Sequence, residues 1–151
     1  MPLSAFTRRE LIFPELGGLD RDSILRFFAD RLAEATGVDA DEIFRGLVER
    51  EQLGSTGIGG GVAIPHARVG HLDHALLAVG LAPEGIDFDA IDGEPVRVFF
   101  VVVSPKDDPQ QNLRYLAAVS SWVKEAGNVE ALLAMPSPVA MVEALASDAV
   151  R

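Results

Sequence analysis

The segment Val96-Arg-Val-Phe-Phe-Val-Val-Val-Ser104 contains six consecutive apolar residues, and most of them are β-branched or aromatic. A strand with one face in water alternates apolar and polar residues, whereas a strand covered on both faces is apolar throughout. β-Branched and aromatic side chains also favour the strand conformation. The segment therefore predicts the central strand of a sheet that has a layer of helices on each face.

Three helices are predicted after this strand. Asp108 can cap a long helix that begins with Pro109, because proline fits the first helical position. A short helix follows from Asn128, and Ser137 can cap a last one. The buried stripe predicted for the long helix consists of Leu113, Leu116, Ala117, Ser120 and Val123.

Two helices are predicted before the strand. Apolar residues recur at helical spacing over residues 22–36 and again over residues 40–52. Asp39, followed three residues later by Glu42, resembles a capping box at the start of the second helix. Arg50 is therefore expected near the C-terminal end of that helix, where a cation is favoured by the helix dipole.

The remaining strands are short. Residues 62–68 and 76–82 are predicted to be strands, and Pro65 suggests an edge or a bulge in the first of them. Residues 11–13 could form an edge strand or a tether, while residues 54–61 are predicted to be a glycine-rich loop. The order αα–βββ–ααα, with one fully buried strand, predicts a layered α/β fold with helices on both faces of the sheet.

Composition limits the possible classes of protein. The 151 residues suffice for one sizeable core, so a single domain over residues 1–151 is expected. The absence of cysteine excludes disulfides and thiolate chemistry. No run is apolar enough to span a membrane, and the first residues lack a signal peptide's apolar region, so a cytoplasmic protein without membrane insertion is expected.

The formal net charge of -10 bears on the choice of partner. It disfavours nonspecific binding to nucleic acid or to anionic lipid, because both are negatively charged. It favours a basic protein partner, since complementary charge steers encounter. Acidity that only keeps the protein in solution explains the charge equally well.

The stretch Arg50-Glu-Gln-Leu-Gly-Ser-Thr-Gly-Ile-Gly-Gly-Gly-Val-Ala-Ile-Pro-His-Ala-Arg68 delivers one histidine, His66, after a glycine-rich segment. A neutral imidazole is a nitrogen nucleophile, and the guanidinium groups of Arg50 and Arg68 could hold a phosphoryl group beside it. These residue types indicate reversible phosphorylation of a histidine. A histidine at a strand end with a satisfied hydrogen bond is the alternative that they leave open.

The five glycines between residues 54 and 61 are not a nucleotide-binding loop, because no Lys-Ser/Thr pair follows them and no helix begins there. Glycine adopts positive φ freely and permits close backbone approach. The segment could therefore bring the Ser55 and Thr56 hydroxyl groups and backbone N–H groups toward His66. An ordinary flexible connection is the alternative.

The strings Arg50-Glu-Gln-Leu-Gly-Ser-Thr-Gly-Ile-Gly59 and Ala63-Ile-Pro-His66 resemble the phosphorylation-site signature of the fructose/mannitol-type enzyme IIA domains. These domains belong to the bacterial phosphoenolpyruvate:sugar phosphotransferase system. A second string, Phe88-Asp-Ala-Ile-Asp-Gly-Glu-Pro-Val96, resembles the same family and is closest to its nitrogen-regulatory branch. The resemblance extends over roughly residues 5 to 147 and implies the family's mixed central sheet.

The resemblance also implies roles for particular residues. His66 would accept the phosphoryl group on Nε2, and Arg50 would hold that group. Ser55 and Thr56 would donate hydrogen bonds to it. Many members have a second histidine at the position of Asn112; an asparagine there can donate a hydrogen bond but supplies no charge.

Two functions follow from the resemblance. In the first, the chain is a phosphotransferase component that takes a phosphoryl group from an HPr-like phosphocarrier and passes it to a sugar permease component. In the second, it is a regulatory binding module whose phosphorylation state controls a partner protein. No cofactor is expected in either case.

Other polar clusters are interpreted more simply. His71, Asp73 and His74 have the look of a metal site, but a turn that enters a strand rarely gives tetrahedral geometry, so no metal is expected. Asp89 and Asp92 resemble an acid pair, but Asp92-Gly is a common hairpin signal, and no catalytic role is assigned to either residue.

Overall fold

The computed structural model describes residues 2–134 and 136–146. Within this part, the α-helices are α1 (Arg21–Thr36), α2 (Ala40–Gln52), α3 (Pro109–Lys124), α4 (Asn128–Ala134) and α5 (Pro138–Leu145). The strands are β1 (Ile12–Phe13), β2 (Gly57–Gly59), β3 (Val62–Ala63), β4 (His66–Val69), β5 (Leu76–Ile86) and β6 (Val96–Pro105). Two short 3₁₀ helices, Leu3–Phe6 and Arg9–Leu11, precede β1.

The strands form one mixed sheet in the order β1-β5-β6-β3-β2, and β4 also pairs with β6. β5 runs antiparallel to β6, whereas β3 and β4 run parallel to it. β6 therefore has partners along both edges, as the apolar segment predicted. The short β1 pairs in parallel with β5 at one edge of the sheet, so residues 11–13 contribute an edge strand and not merely a tether.

Alternate side chains of β6 enter two separate cores. Phe99, Val101 and Val103 pack with α1 and α2, whereas Val98, Phe100 and Val102 pack with α3, α4 and α5. Every one of these six side chains is fully buried. The predicted α/β fold with helices on both faces is therefore confirmed. Each face of β6 packs against a layer of helices, and this explains why the strand is apolar on both faces.

The glycine-rich segment is more ordered than predicted. β2 forms inside residues 54–61 and pairs with β3 as a hairpin. Gly60 and Gly61 make the turn with φ of 66° and 79°, a conformation that favours glycine. The strand predicted over residues 62–68 is divided at Ile64 and Pro65, and its two parts, β3 and β4, lie one after the other along β6.

Two helix caps agree with prediction and one does not. The Asp108 carboxylate accepts from the Gln111 N–H at 3.1 Å, and the Ser137 hydroxyl accepts from the N–H at the start of α5. The capping box at Asp39 was wrong, because the Asp39 side chain makes no cap hydrogen bond. The Glu42 carboxylate instead accepts from the Gly70 N–H at 3.0 Å, and this bond ties the first turn of α2 to the end of β4.

The buried face of α3 also differs from the predicted stripe. Of the predicted residues, Leu116 and Val123 are partly buried against the core. Val119 and Trp122, which were not predicted, are fully buried, whereas Leu113 is 67% exposed and Ala117 is exposed. Leu113, in the second turn of α3, borders an open groove instead of the core. No helix in the described ranges, 2–134 and 136–146, combines the length and apolarity of a membrane span.

Candidate functional site

His66 is the first residue of β4 and lies opposite Val102 of β6. Its Nδ1 is 2.8 Å from the carbonyl oxygen of Ile64. A carbonyl oxygen can only accept, so Nδ1 carries the proton and Nε2 carries the lone pair. The carbonyl oxygen two residues before the ring thus selects the tautomer and leaves Nε2 with the lone pair that a nucleophile needs.

Arg50 faces that nitrogen from the last turn of α2. Its Nε donates to Nε2 of His66 at 3.2 Å, and its Nη1 donates to the Gly54 carbonyl oxygen at 2.9 Å. The guanidinium group is therefore braced by the loop that follows its own helix. The structure brings the predicted clamp and the predicted nucleophile into direct contact.

The environment of the ring keeps it neutral. Burial lowers the pKa of His66 below its ordinary value of 6.5. The hydrogen bond to the Ile64 carbonyl opposes this shift in pKa, and the positive charge of Arg50 adds to it. At neutral pH the ring is uncharged, as a nitrogen nucleophile must be.

This environment gives a pH prediction. An NMR titration of the His66 ring is expected to give a pKa below about 6.5, and Arg50→Ala should raise that pKa by removing the nearby charge and exposing the ring. Because the pKa of His66 is lower in the folded chain than in the unfolded chain, the unfolded chain binds the proton more readily. The free energy of unfolding should therefore decrease as the pH falls from about 6.5 through the pKa of the folded state. Arg45→Ala removes an arginine from the solvent side of α2 and should leave the pKa of His66 unchanged. A His66 pKa at or above 6.5 would contradict the assignment.

Asn112 lies in the first turn of α3 and borders the same groove as His66. Its Oδ1 accepts from the Ser104 hydroxyl at 2.9 Å, so its amide nitrogen remains as a donor. His66 and Asn112 border one groove of about 750 Å³. The other side chains along this groove include Glu49, Arg50, Leu53, Arg68, Lys106 and Leu113.

Ser55 and Thr56 line a smaller cavity of about 220 Å³ beside the His66 ring. The Ser55 hydroxyl donates to the Phe88 carbonyl oxygen at 2.9 Å, and the Thr56 hydroxyl donates to the Glu51 carboxylate. The two side chains are close to the ring, but their hydroxyl hydrogens are directed elsewhere. Donation from them to a group on Nε2 would require these bonds to break.

Glu51, which sequence reasoning missed, is a buried carboxylate bonded to one of the predicted site residues, Thr56. Glu51 is only 8% exposed. Within the described ranges, its carboxylate accepts hydrogen bonds from one residue, Thr56. A signal for its burial exists in the sequence. Ile43, Leu47 and Glu51 recur every fourth residue, so Glu51 continues the buried stripe of α2.

The other polar candidates lie apart from His66. His71, Asp73 and His74 border a separate cavity of about 170 Å³. Asp89 pairs with an arginine of α1, while the Asp92 carboxylate accepts from the N–H groups of Glu94 and Gly60, and these bonds lower the pKa of Asp92. Among residues 2–134 and 136–146, no three His, Asp or Glu side chains are placed to hold a metal ion.

Arg68 is exposed and borders the groove near its rim. Its side chain makes no hydrogen bond or ion pair within the described ranges. The site therefore consists of a contacting pair, His66 and Arg50, an amide donor that borders the same groove, Asn112, and hydroxyl groups that brace the loop.

Comparison with known proteins agrees with this geometry. The model of the phosphoenolpyruvate-dependent sugar phosphotransferase system EIIA 2 family matches residues 5–148. A fructose-specific EIIA component of that system from Haloferax volcanii is 32% identical over 145 residues, which are 95% of this chain and 94% of the relative.

Two solved structures share the fold. Nitrogen regulatory protein IIA-Ntr from Neisseria meningitidis is 26% identical with a TM-score of 0.88, over 95% of this chain and 98% of the other. Enzyme IIA mannitol from Escherichia coli, solved in complex with phosphorylated enzyme IIB mannitol, is 18% identical with a TM-score of 0.77, over 91% and 94% of the two chains. The chain therefore belongs to the EIIA type 2 family of the phosphoenolpyruvate-dependent sugar phosphotransferase system.

Proposed function

We propose that this chain is a phosphocarrier in which Nε2 of His66 accepts a phosphoryl group from a phosphohistidine on an HPr-like donor. The observation that carries the proposal is the pair of contacts on the His66 ring. Nδ1 is held by the Ile64 carbonyl oxygen at 2.8 Å, and Nε2 meets Arg50 at 3.2 Å. The ring thus presents one nitrogen, unprotonated, to a group that the arginine would stabilise.

The transfer needs little chemistry from the protein. The Nε2–P bond forms as the N–P bond of the donor breaks, and no proton has to leave His66 because Nε2 is already unprotonated. Arg50 turns its donors from the lone pair to the phosphoryl oxygens, and the Asn112 amide, which borders the same groove, also donates to them. Positioning and charge neutralisation of this kind account for most of phosphoryl-transfer catalysis.

The rim of the groove suits a protein partner. Leu53 and Leu113 border the same groove as His66 and are 85% and 67% exposed, so a docked protein would cover them. The net charge of -10 favours a basic donor. The IIA mannitol neighbour was solved with phosphorylated IIB, so we propose a sugar permease component of this kind as the acceptor, with the exchange taking place in the cytoplasm.

The second candidate function is regulatory. In this role, the phosphorylation state of His66 controls a partner protein and the phosphoryl group is not passed on to a permease. The likeness to nitrogen regulatory protein IIA-Ntr favours it. Asn112, which supplies no positive charge, suits slow turnover of the phosphoryl group.

One experiment tests the proposal and separates the two roles. The purified chain is mixed with phosphorylated HPr homologues from its own source, and intact mass is followed over time. A gain of one acid-labile, base-stable phosphoryl group supports the phosphocarrier. Rapid discharge on addition of IIB components indicates transport, whereas a long-lived phosphoprotein indicates the regulatory role. No gain of mass with any donor would overturn the proposal.

Asn112 gives a prediction of its own. Asn112→His should accelerate transfer, more so below the ordinary imidazole pKa of about 6.5, where the added ring is cationic. Asn112→Leu should slow transfer, because it removes the amide donor. Gln110→His, which adds an imidazole to the exposed side of the same helix, is the matched control. Transfer rates from pH 5.5 to 8 that match wild type for both variants would place Asn112 outside the site.

A further inference from the structure

We infer that Glu51 is a positioning residue for the proposed transfer, and that its partner Thr56 serves the same purpose and does not contact the phosphoryl group. The inference rests on the proposed function, because it concerns how the nucleophile is held. It starts from the burial of a carboxylate in a chain whose acidic side chains are otherwise mostly at the surface. Burying such a group is unfavourable unless hydrogen bonds compensate for the lost water.

The compensating bonds all come from one residue. The Thr56 N–H lies 3.2 Å from both carboxylate oxygens of Glu51, and the Thr56 hydroxyl donates to one of them. A carboxylate accepts several hydrogen bonds at once, and bonds to a charged acceptor are the stronger kind. Glu51 thus fixes both the backbone and the side chain of the residue that enters β2.

Thr56 passes this constraint on to the nucleophile. Its carbonyl oxygen accepts from the Ile64 N–H at 3.0 Å, and the Ile64 carbonyl oxygen accepts from Nδ1 of His66 at 2.8 Å. The carboxylate is therefore connected through two backbone steps to the bond that selects the His66 tautomer. Second-layer partners of this kind orient a histidine ring and hold its tautomer.

The backbone of Glu51 is also linked to the proposed phosphoryl clamp, Arg50. The Gly54 N–H donates to the Glu51 carbonyl oxygen at 3.1 Å, and the Gly54 carbonyl oxygen accepts from Arg50. The turn between α2 and β2 is closed at one end by these bonds and at the other by the Glu51–Thr56 pair. Loosening that pair would release the brace of Arg50 and the support of Ile64 together.

The test compares Glu51→Gln, Thr56→Val and the double variant. The glutamine amide puts an NH₂ group where one carboxylate oxygen accepted from Thr56, and valine removes the hydroxyl. We expect each single change to lower kcat for phosphoryl uptake on the order of 10-fold, the lower end for loss of a ring-orienting partner. KM for the donor should stay unchanged, and the double variant should be no slower than the slower single one. Thr56→Ser keeps the hydroxyl group and should therefore transfer at the wild-type rate.

A second readout does not depend on phosphoryl transfer. ¹⁵N NMR of the unphosphorylated protein reports the fraction of His66 protonated on Nδ1, and this fraction should fall in Glu51→Gln and Thr56→Val but not in Thr56→Ser. Glu34→Gln, an exposed carboxylate of α1, controls for the change of charge, and thermal unfolding verifies that each variant is folded.

The outcomes separate the possibilities. A slow Thr56→Val with a normal Glu51→Gln would overturn the inference and make Thr56 a phosphoryl contact. An unchanged His66 tautomer in both variants would also overturn it. If wild type takes up no phosphoryl group, the proposed function fails, and the tautomer measurement still decides whether Glu51 positions the ring.

Discussion

His66→Ala is expected to abolish uptake of the phosphoryl group, because the variant lacks the nitrogen to which phosphorus would bind. His66 is half-buried beside Arg50, and its Nε2 keeps its lone pair at neutral pH. Among the described residues, no second imidazole borders the groove. A residual rate from neighbouring hydroxyl groups is not expected, since Ser55 and Thr56 direct their hydrogens to other acceptors. Loss of a covalent nucleophile is among the largest effects of single substitutions in enzymes.

The matched controls are His71→Ala and His74→Ala, which remove the same ring from a different cavity. Both variants should take up one phosphoryl group to the same extent as wild type. Intact mass after incubation with a phosphorylated donor gives the extent of labelling, and peptide fragmentation under alkaline conditions gives the position. His66→Gln, which retains more of the side-chain volume, guards against an effect of unfolding. Labelling that survives in both His66 variants would eliminate His66 as the phosphoryl acceptor.

The sequence predicted the layers of this fold because the layers depend on burial pattern alone. The β6 segment is apolar on both faces, and the helix caps at Asp108 and Ser137 follow from short local rules. The way the strands pair was harder to predict from the sequence, and the predicted strand over residues 62–68 is in fact two strands, β3 and β4. The division of residues 62–68 arises because Pro65 lacks an N–H, while its carbonyl still accepts from Val102 of β6 at 3.0 Å.

The face that α3 presents to the sheet was the main error in the predicted core. Periodicity counts apolar residues, and both faces of α3 carry them. Leu116 and Val123 of the predicted stripe do pack, partly buried, against the core. Its first residue, Leu113, belongs to the groove beside His66, and the stripe omitted the fully buried Val119 and Trp122. An apolar residue on a binding surface has the same signal in sequence as an apolar residue in the core.

The sequence predicted those residues of the candidate site that lie together in one motif. It did not predict contacts that the fold makes between segments far apart in the chain. His66 and Arg50 were placed together because both lie in one continuous string. The Glu51–Thr56 pair lies within that string too, but its meaning depends on the burial of the carboxylate and on the bond from Thr56 to Ile64. Ser104, which orients Asn112, was accessible from neither motif nor periodicity, since the contact joins β6 to α3.

Arg50→Lys is expected to slow phosphoryl transfer on the order of 100-fold while leaving the fold intact. Arg50 uses two different nitrogens of one planar fork, Nε toward Nε2 of His66 and Nη1 toward the Gly54 carbonyl oxygen. Lysine offers one nitrogen and no fork, so it cannot brace the loop and meet the phosphoryl group at the same time. Positive charge alone is retained, and the variant therefore tests geometry separately from charge.

The matched control for this change is Arg45→Lys, on the same helix, where the guanidinium Nε donates to the Asp41 carbonyl of that helix and, within residues 2–134 and 136–146, makes no other hydrogen bond. It should transfer at the wild-type rate. Single-turnover kinetics with a phosphorylated donor give the rate of the chemical step, and the thermal unfolding temperature verifies the fold. The positive charge at the end of α2 is favoured by the helix dipole in both wild type and Arg50→Lys, so stability should barely change. A normal rate in Arg50→Lys would reduce Arg50 to a helix-end cation and leave the phosphoryl group on His66 without its principal partner.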